Sequence, residues 1–261
     1  MAFGRPLNTP VRDWQCRRVW LVGASTGIGA ALARRLAEQG ARLALSARGR
    51  EKLDALAAQC PGAHVVPMDV TQPQDYPRVR DEILALWGGV DVVVLNAGTY
   101  APMRAWELTP DLLRHTLDTN LLGVMDGVAA VVPQLLEQGS GALVIVGSVA
   151  GYGGLPRAAA YGPSKAALIN LAESLYLDLA PRGISVFLVS PGFVATPLTA
   201  QNDFRMPALI QPDEAADAIV AGLARGAFEI HFPRRFTCLM KFLRLLPYHL
   251  YFPAIRRATG L

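Results

Sequence analysis

Short apolar runs alternate along this chain with longer segments in which apolar residues recur every three or four positions. The runs predict strands at 19–22, 42–46, 64–68, 90–95, 142–147, 184–189 and 228–232. The periodic segments predict helices at 28–39, 51–59, 74–87, 110–137, 158–180 and 212–225. Strands that alternate with helices in this way indicate βαβ units and a parallel sheet. Pro133 falls late in the fourth helix and is expected to end or kink it.

A glycine-rich turn joins the first predicted strand to the first predicted helix. It reads Gly23-Ala-Ser-Thr-Gly27-Ile-Gly29. Glycines let the backbone approach a pyrophosphate, whose charge then lies at the helix N-terminus. The spacing is not the Gly-x-Gly-x-x-Gly of the usual dinucleotide fingerprint, and a tight turn without a ligand is the alternative. Because the turn follows the first strand, a nucleotide site is favoured.

A tyrosine and a lysine lie one helical turn apart in Tyr161-Gly-Pro-Ser-Lys165. Residues four apart share one face of a helix, so the ammonium can lie beside the phenol. A free tyrosine ionises near pH 10, and a neighbouring cation is expected to lower the pKa of Tyr161 towards the working pH. Such pairs also arise by chance, so this one becomes informative only through the motifs around it.

Taken together, these motifs resemble the short-chain dehydrogenase/reductase family. The resemblance covers about residues 17–232 and rests on Gly23-x-x-x-Gly27-Ile28-Gly29, Asn96-Ala97-Gly98, Ser148, Tyr161-x-x-x-Lys165 and Pro191-Gly192. It implies an α/β Rossmann fold, with a doubly wound parallel sheet in the order 3-2-1-4-5-6-7 and helices on both faces. It also implies a hydride transfer between a nicotinamide cofactor and a carbonyl or alcohol. Residues 1–232 would form this domain, and 233–261 an extension packed on it or on a membrane.

The resemblance also implies a catalytic set. Tyr161 would be the general acid in reduction and the base in oxidation, and Lys165 would lower its pKa and bind the nicotinamide ribose. Ser148 would polarise the substrate carbonyl, and Asn120 would hold a water that links Lys165 to solvent. Without the family, Asn120 would be interpreted as a helix surface residue.

The end of the second strand bears on the choice of cofactor. NAD-binding proteins carry an acid there, whereas an arginine nearby accommodates a 2′-phosphate. Here Ala47 stands in the place of the acid and Arg48 follows, with Arg50 and Lys52 close by. We therefore predict NADP(H) in preference to NAD(H), with Arg48 as the main contact; a solvated loop arginine is the alternative.

The remaining cofactor contacts follow from the resemblance. Asp69 would bind the adenine amine, although from sequence alone a helix-capping aspartate is equally plausible. The full predicted set is Gly23, Ser25, Thr26, Gly27, Ile28, Gly29, Arg48, Asp69, Val70, Asn96, Ala97, Gly98, Tyr161, Lys165, Pro191, Gly192, Val194 and Thr196.

Composition narrows the class of protein. The chain has 261 residues, of which 52% are hydrophobic and 18% charged, as expected of one globular domain with at most an extension. Its three cysteines and four histidines are scattered, so no metal site is predicted. The first 18 residues are polar and do not resemble a signal peptide, so a cytoplasmic location is expected. Relatives often associate, which makes a homo-oligomer (dimer or tetramer) the expected state.

The net charge of +4 is unevenly distributed. From Ile230 onward there are six basic residues and no acid, whereas residues 1–229 carry 19 basic and 21 acidic residues, a net of −2. The body therefore offers no basic face for a nucleic acid.

The basic tail has two interpretations. Its apolar residues recur at helical spacing, and it is too short and too charged to span a bilayer. Either it lies on anionic lipid, giving a peripheral contact through 234–261 at the inner face of a membrane, or it packs over its own substrate cleft or another subunit.

The predicted substrate walls are apolar. They comprise Leu155, Leu198, Phe204 and Met206. We therefore expect a lipophilic carbonyl substrate, such as an oxoacyl or steroid-like compound. A cofactor-binding regulator and a membrane-docked protein with vestigial activity are the alternatives.

Overall fold

The predicted strands form one parallel sheet. The computed structural model describes residues 5–260. Its strands are β1 (Arg18–Val22), β2 (Arg42–Ser46), β3 (His64–Val65), β4 (Val92–Leu95), β5 (Gly141–Val146), β6 (Ile184–Pro191) and β7 (Glu229–Phe232). They pair in the order β3-β2-β1-β4-β5-β6-β7, and every pairing is parallel. The doubly wound fold implied by the resemblance is confirmed.

Helices cover both faces of this sheet. They are α1 (Gly27–Glu38), α2 (Arg50–Ala57), α3 (Asp75–Trp87), α4 (Pro110–Leu117), α5 (Gly123–Gln138), α6 (Tyr161–Leu179), α7 (Pro212–Arg225), α8 (Arg234–Leu245) and α9 (Tyr248–Thr259). Side chains of β1 alternate between two cores. Val19 and Leu21 pack with α1 and α7 residues, whereas Trp20 and Val22 pack with α3, α5 and α6 residues. Because both faces are buried, the strands are almost uniformly apolar.

The edge strand β3 is shorter than the predicted 64–68. Pro67 has no N–H group, but the residues on either side of it still donate to the neighbouring strand. Val66 N–H donates to the Leu45 carbonyl of β2 at 3.0 Å, and Met68 N–H to the carbonyl of Ala47, just after β2, at 3.2 Å. A proline is tolerated here because its missing donor would point away from the sheet.

The long helix predicted at 110–137 contains an irregular turn. A π turn, Asp118–Leu122, joins α4 to α5. Pro133 does not end the helix, which continues to Gln138, because Val131 and Leu135 are buried against the sheet on both sides of the proline. Within residues 5–260, the stretch Pro110–Gln138 is the single helix long and apolar enough to cross a membrane by length and composition. Its buried residues belong to the core beneath the sheet.

The C-terminal helices pack against the body along one face each. Thr237 and Met240 of α8 and Tyr251 and Ile255 of α9 are buried. Lys241 of α8 pairs with Glu229 of β7, which ties the tail to the last strand of the sheet.

Candidate active site

A cleft of about 910 Å³ opens at the carboxyl ends of the strands. In a doubly wound sheet this edge is where ligands bind. All the predicted cofactor-binding and catalytic residues line this cleft except Gly29 and Asn120. The parallel topology therefore brings together motifs that are scattered in sequence from Gly23 to Thr196.

The glycine turn is shaped by close backbone approaches. Gly23 has φ +83°, and a Cβ there would lie 2.5 Å from the Ala97 backbone nitrogen. Asn96 Nδ2 donates to the Gly23 carbonyl at 2.8 Å, which joins the turn to the end of β4. Gly29 has a packing role, since a Cβ there would lie 2.2 Å from the Gly23 oxygen.

The start of α1 leaves backbone donors for a ligand. Thr26 is the N-cap but makes no side-chain cap bond, and the first turn carries no acidic residue. Uncapped N–H groups at a helix N-terminus favour an anion. With the glycine cradle beside it, this corner of the cleft fits the pyrophosphate of a dinucleotide.

Several basic side chains lie close together just after the end of β2. Arg48, Arg50 and Lys52 line the cleft next to Ala47, together with Glu51. Arg50 is 3.7 Å from Asp54, whereas Arg48 and Lys52 make no ion pair within residues 5–260. The Arg48 side chain is exposed, so its guanidinium is available to a phosphate.

Asp69 lies at the cleft and also holds a turn. Its Oδ1 accepts from the Thr71 backbone nitrogen at 3.0 Å and from the Thr71 hydroxyl at 2.9 Å. The helix-capping interpretation is wrong, because α3 begins at Asp75 and its N-cap is Gln74. The contact to an adenine amine stays a prediction.

The three central catalytic candidates lie together. Tyr161 begins α6, Lys165 follows one turn later, and Ser148 stands at the end of β5; all three line the cleft. Lys165 Nζ donates to the Val146 carbonyl at 3.0 Å and lies 5.7 Å from the centre of the Tyr161 ring. Ser148 Oγ accepts from the Ala150 backbone nitrogen at 3.1 Å, so its hydroxyl hydrogen is directed to another partner.

The protonation states differ from the expectation based on the lysine. Burial raises the pKa of Tyr161 to about 12, with the Ser148 hydroxyl opposing the rise. Burial also lowers the pKa of Lys165 to about 8. Loss of hydration acts more strongly than the attraction between the two groups, since the ammonium donates to a carbonyl rather than to the phenol. Tyr161 is therefore a protonated phenol at neutral pH.

Asn120 is not the surface residue that its helical position alone indicates. It is fully buried in the π turn, where its Oδ1 accepts from the Thr99 nitrogen at 2.7 Å and its Nδ2 donates to the Thr99 oxygen at 2.9 Å. Nδ2 also donates to Ser164 Oγ at 3.3 Å. Asn120 thus joins the end of β4 to the catalytic helix, and a π turn is a common local feature of functional sites.

The apolar wall is only partly as predicted. Leu198 lines the cleft, but Leu155, Phe204 and Met206 do not. Phe204 instead packs on Phe193, with ring centres 5.7 Å apart, and Met206 accepts from Asn202. Sequence position could not show which of these side chains turn inward.

One aromatic neighbour of the site was missed. Tyr100 packs edge-on against Tyr161, with ring centres 5.0 Å apart, and its hydroxyl donates to Asn202 at 3.0 Å. Its place two residues after the Asn96-Ala97-Gly98 motif is the signal that could have drawn attention to it. No group of three or more His, Cys, Asp and Glu side chains in residues 5–260 could hold a metal ion.

Known proteins are similar to this chain in sequence. The family model for short chain dehydrogenase matches residues 17–206. An uncharacterized oxidoreductase of Myxococcus xanthus is 39% identical over 246 residues, which are 92% of this chain and 97% of that protein. An uncharacterized oxidoreductase of Staphylococcus epidermidis is 33% identical over 206 residues, 78% of this chain and 90% of that protein.

Solved structures agree in fold. A short-chain dehydrogenase from Sphingobium yanoikuyae in complex with NADPH superimposes with a TM-score of 0.77 at 30% identity, covering 85% of this chain and 91% of that one. A short-chain type dehydrogenase/reductase from Mycobacterium marinum gives a TM-score of 0.78 at 28% identity, covering 87% and 97%. With the family model matching most of its length and the motifs meeting in one cleft, this chain belongs to the short-chain dehydrogenase/reductase family of oxidoreductases.

Proposed function

We propose that this protein is an NADP(H)-dependent reductase, reversibly an alcohol dehydrogenase, that acts on a neutral, apolar carbonyl compound. The observation that carries the proposal is a single cleft with Tyr161, Ser148 and Lys165 at one end and Arg48 and Lys52 at the other.

Charge at the end of β2 supports the phosphorylated cofactor. No acid stands at Ala47 to accept from a ribose 2′-hydroxyl, and the exposed Arg48 offers a planar fork of donors that suits a phosphate. The related Sphingobium protein was crystallised with NADPH. The bound nicotinamide would supply the hydride in reduction.

The residues of the cleft can handle the proton and the charge on the substrate oxygen. Ser148 can donate to the carbonyl oxygen, because its own Oγ already accepts from Ala150. Negative charge that grows on this oxygen during reduction is stabilised by a donor already in place. Tyr161, protonated at neutral pH, can then give its proton to that oxygen. Lys165 and Asn120 hold the catalytic helix against the ends of β4 and β5.

The lining of the catalytic end supports a neutral substrate. Apart from Lys165, the lysine, arginine and acidic side chains that line the cleft come from the ends of β2 and β3 and the start of α2. The rest of the lining includes the apolar Pro197 and Leu198, alongside Thr199, Gln201 and His115. Among the described residues, no further lysine or arginine lines the cleft where it could bind a substrate carboxylate. Apolar side chains with few polar groups are typical of sites for lipophilic ligands.

The test is turnover of NADPH and NADH with ketones graded by chain length and ring size. We expect NADPH to be preferred and kcat/KM to rise with apolar bulk. Tyr161→Phe should lose turnover but keep its NADPH dissociation constant; normal turnover in that variant would rule out the mechanism. Tight NADPH binding without turnover of any ketone would favour a regulatory role.

The cofactor preference has its own variant and control. Arg48→Glu removes a charge-assisted hydrogen bond, so NADPH binding should weaken about tenfold or more while NADH binding does not. Arg182→Glu, at an exposed arginine just before β6 and so at the opposite end of the sheet, is the matched control and should change neither. Equal NADPH affinity in both variants would exclude Arg48 as the phosphate contact.

A further inference from the structure

The C-terminal helices carry a large share of the exposed apolar surface. Sixteen large hydrophobic side chains are exposed in residues 5–260, and six of them fall between positions 239 and 252. These six are Leu239, Phe242, Leu245, Tyr248, Leu250 and Phe252. A concentration of this kind in so short a segment marks an interaction site rather than scattered surface residues.

On α8 the exposed apolar residues form one stripe. Leu239, Phe242 and Leu245 follow one another at spacings of three, and their exposed fractions are 53%, 59% and 82%. Thr237 and Met240, on the opposite face, are buried. The helix is therefore apolar on both sides, and only the inner side is covered by the body.

Cations accompany this apolar surface. Arg234, Arg235, Arg244, Arg256 and Arg257 lie on α8 and α9 and make no ion pair within the described residues; Lys241 alone is paired, with Glu229. Since no acid occurs from Ile230 onward, nothing in the segment itself neutralises them.

The segment is anchored to the body by packing and hydrogen bonds, in part next to a cleft residue. Phe236 packs beside Gly192, a cleft residue, where an added Cβ would lie 3.0 Å from its ring. The Tyr251 hydroxyl donates to the Gly154 carbonyl at 2.8 Å, and Glu229 bonds both Lys241 and the Tyr152 hydroxyl. The exposed side of α8 and α9 therefore belongs to helices that are fixed to the body of the protein.

We propose that the exposed face of α8 and α9 docks onto the surface of an anionic lipid bilayer. We call it the C-terminal surface: the six exposed apolar residues above and the unpaired Arg234, Arg235, Arg256 and Arg257. Arg244, four residues after the buried Met240, lies towards the body and is not part of it. Apolar side chains inserted at the headgroup boundary, with arginines beside anionic headgroups, are what an interfacial helix requires. Each helix has 12 residues, about 18 Å in length, so neither crosses the bilayer.

A second copy of the chain fits this surface less well. A symmetric dimer places the same patch of both subunits face to face. Such a contact would bring four unpaired arginines against four more without an acid between them. Anionic lipid instead complements both the charge and the apolar stripe.

The experiment is vesicle flotation of the full chain. We expect binding to vesicles of phosphatidylcholine mixed with phosphatidylglycerol, little binding to phosphatidylcholine alone, and release at high salt. Leu239→Glu/Phe242→Glu should reduce binding about tenfold or more, because two carboxylates enter the apolar stripe. Leu177→Glu, at a leucine of α6 with 73% exposure, is the matched control and should bind like the wild type.

Two further measurements make the outcome decisive. Circular dichroism and NADPH binding show whether each variant is folded, and both substituted side chains of the double variant are exposed. Failure of the wild type to bind the mixed vesicles at low salt, or equal binding by the double variant, would overturn the proposal. Light scattering that shows a dimer broken by the double variant would assign the surface to a second copy instead. Turnover of a water-soluble ketone without vesicles should be the same in all variants, so this test and that of the catalytic proposal can fail separately.

Discussion

Replacing Gly23 with alanine would add one methyl group where two backbone segments of the cleft approach each other closely. Gly23 has φ +83°, and the new Cβ would meet the Ala97 nitrogen at 2.5 Å and the Ala97 Cα at 2.7 Å. Gly62 offers a matched control: its φ is +77°, but nothing lies within 4 Å of its added Cβ. Comparing Gly23→Ala with Gly62→Ala therefore separates the cost of a left-handed alanine from the cost of the steric contact with Ala97.

The expected magnitudes follow from these two costs. A left-handed conformation costs alanine about 1–2 kcal/mol, so Gly62→Ala should lower the free energy of unfolding by that amount. Gly23→Ala should add about 1–3 kcal/mol for overpacking, at the upper end because its neighbours are backbone atoms that cannot rotate away. We expect a total loss of about 3–5 kcal/mol for Gly23→Ala.

Urea unfolding followed by circular dichroism measures both variants, with the m-value showing whether the transitions are comparable. NADPH binding adds a second readout. In Gly23→Ala, the segment after β4 that contains Ala97 must move away from the glycine turn before α1, which should weaken NADPH binding. Gly62→Ala should leave NADPH binding unchanged. Equal destabilisation of the two variants would refute the close approach of the glycine turn to Ala97.

Three other substitutions test buried or partly buried polar groups. The pKa of Lys165 is about 8 in the folded chain, against an ordinary value of 10.5. Above pH 8 the unfolded state therefore binds more protons than the folded state. The free energy of unfolding should rise between pH 8 and 10 by up to about 1.4 kcal/mol per pH unit. Lys165→Met should lose this rise in urea unfolding at several pH values; parallel profiles would contradict it. Asn120→Ala leaves both Thr99 backbone groups unpaired and should cost about 2–4 kcal/mol by the same assay, and a loss below about 1 kcal/mol would contradict that role. Burial opposes ionisation of Asp91, but hydrogen bonds from Arg18 at 2.6 and 3.1 Å outweigh it and lower its pKa. Asp91→Asn should therefore destabilise at pH 7, and the difference from wild type should shrink as the pH falls below 3.8; a pH-independent difference would exclude the ion pair.

Local patterns account for how well the strands were predicted. The β1, β2 and β5 boundaries agree with the predicted ones to within one residue, because continuous apolar runs between turn residues are a short-range signal. Pro133 shows the limit of local reasoning. Its missing N–H predicts a break, yet the burial of Val131 and Leu135 keeps α5 continuous to Gln138.

The candidate site likewise contains residues that local motifs predict and contacts that only the fold creates. Its cofactor and catalytic residues were predicted from motifs, and the parallel sheet brings nearly all of them into one cleft. The inward turn of Leu198, the outward packing of Phe204 and the contact of Tyr100 with Tyr161 depend on how loops pack against one another. Periodicity holds no information on such contacts.

The sequence by itself determined the alternation of strands and helices, the family, and the carboxyl-end motifs, because these rest on short-range backbone preferences and on residue identity. Only the tertiary structure decided that Asn120 is buried between Thr99 and Ser164, 21 and 44 residues away, and that burial, rather than Lys165, controls the pKa of Tyr161. It also decided which side of α8 the body covers. Desolvation and long-range hydrogen bonds depend on neighbours that are distant in sequence, so they exist only once the chain has folded.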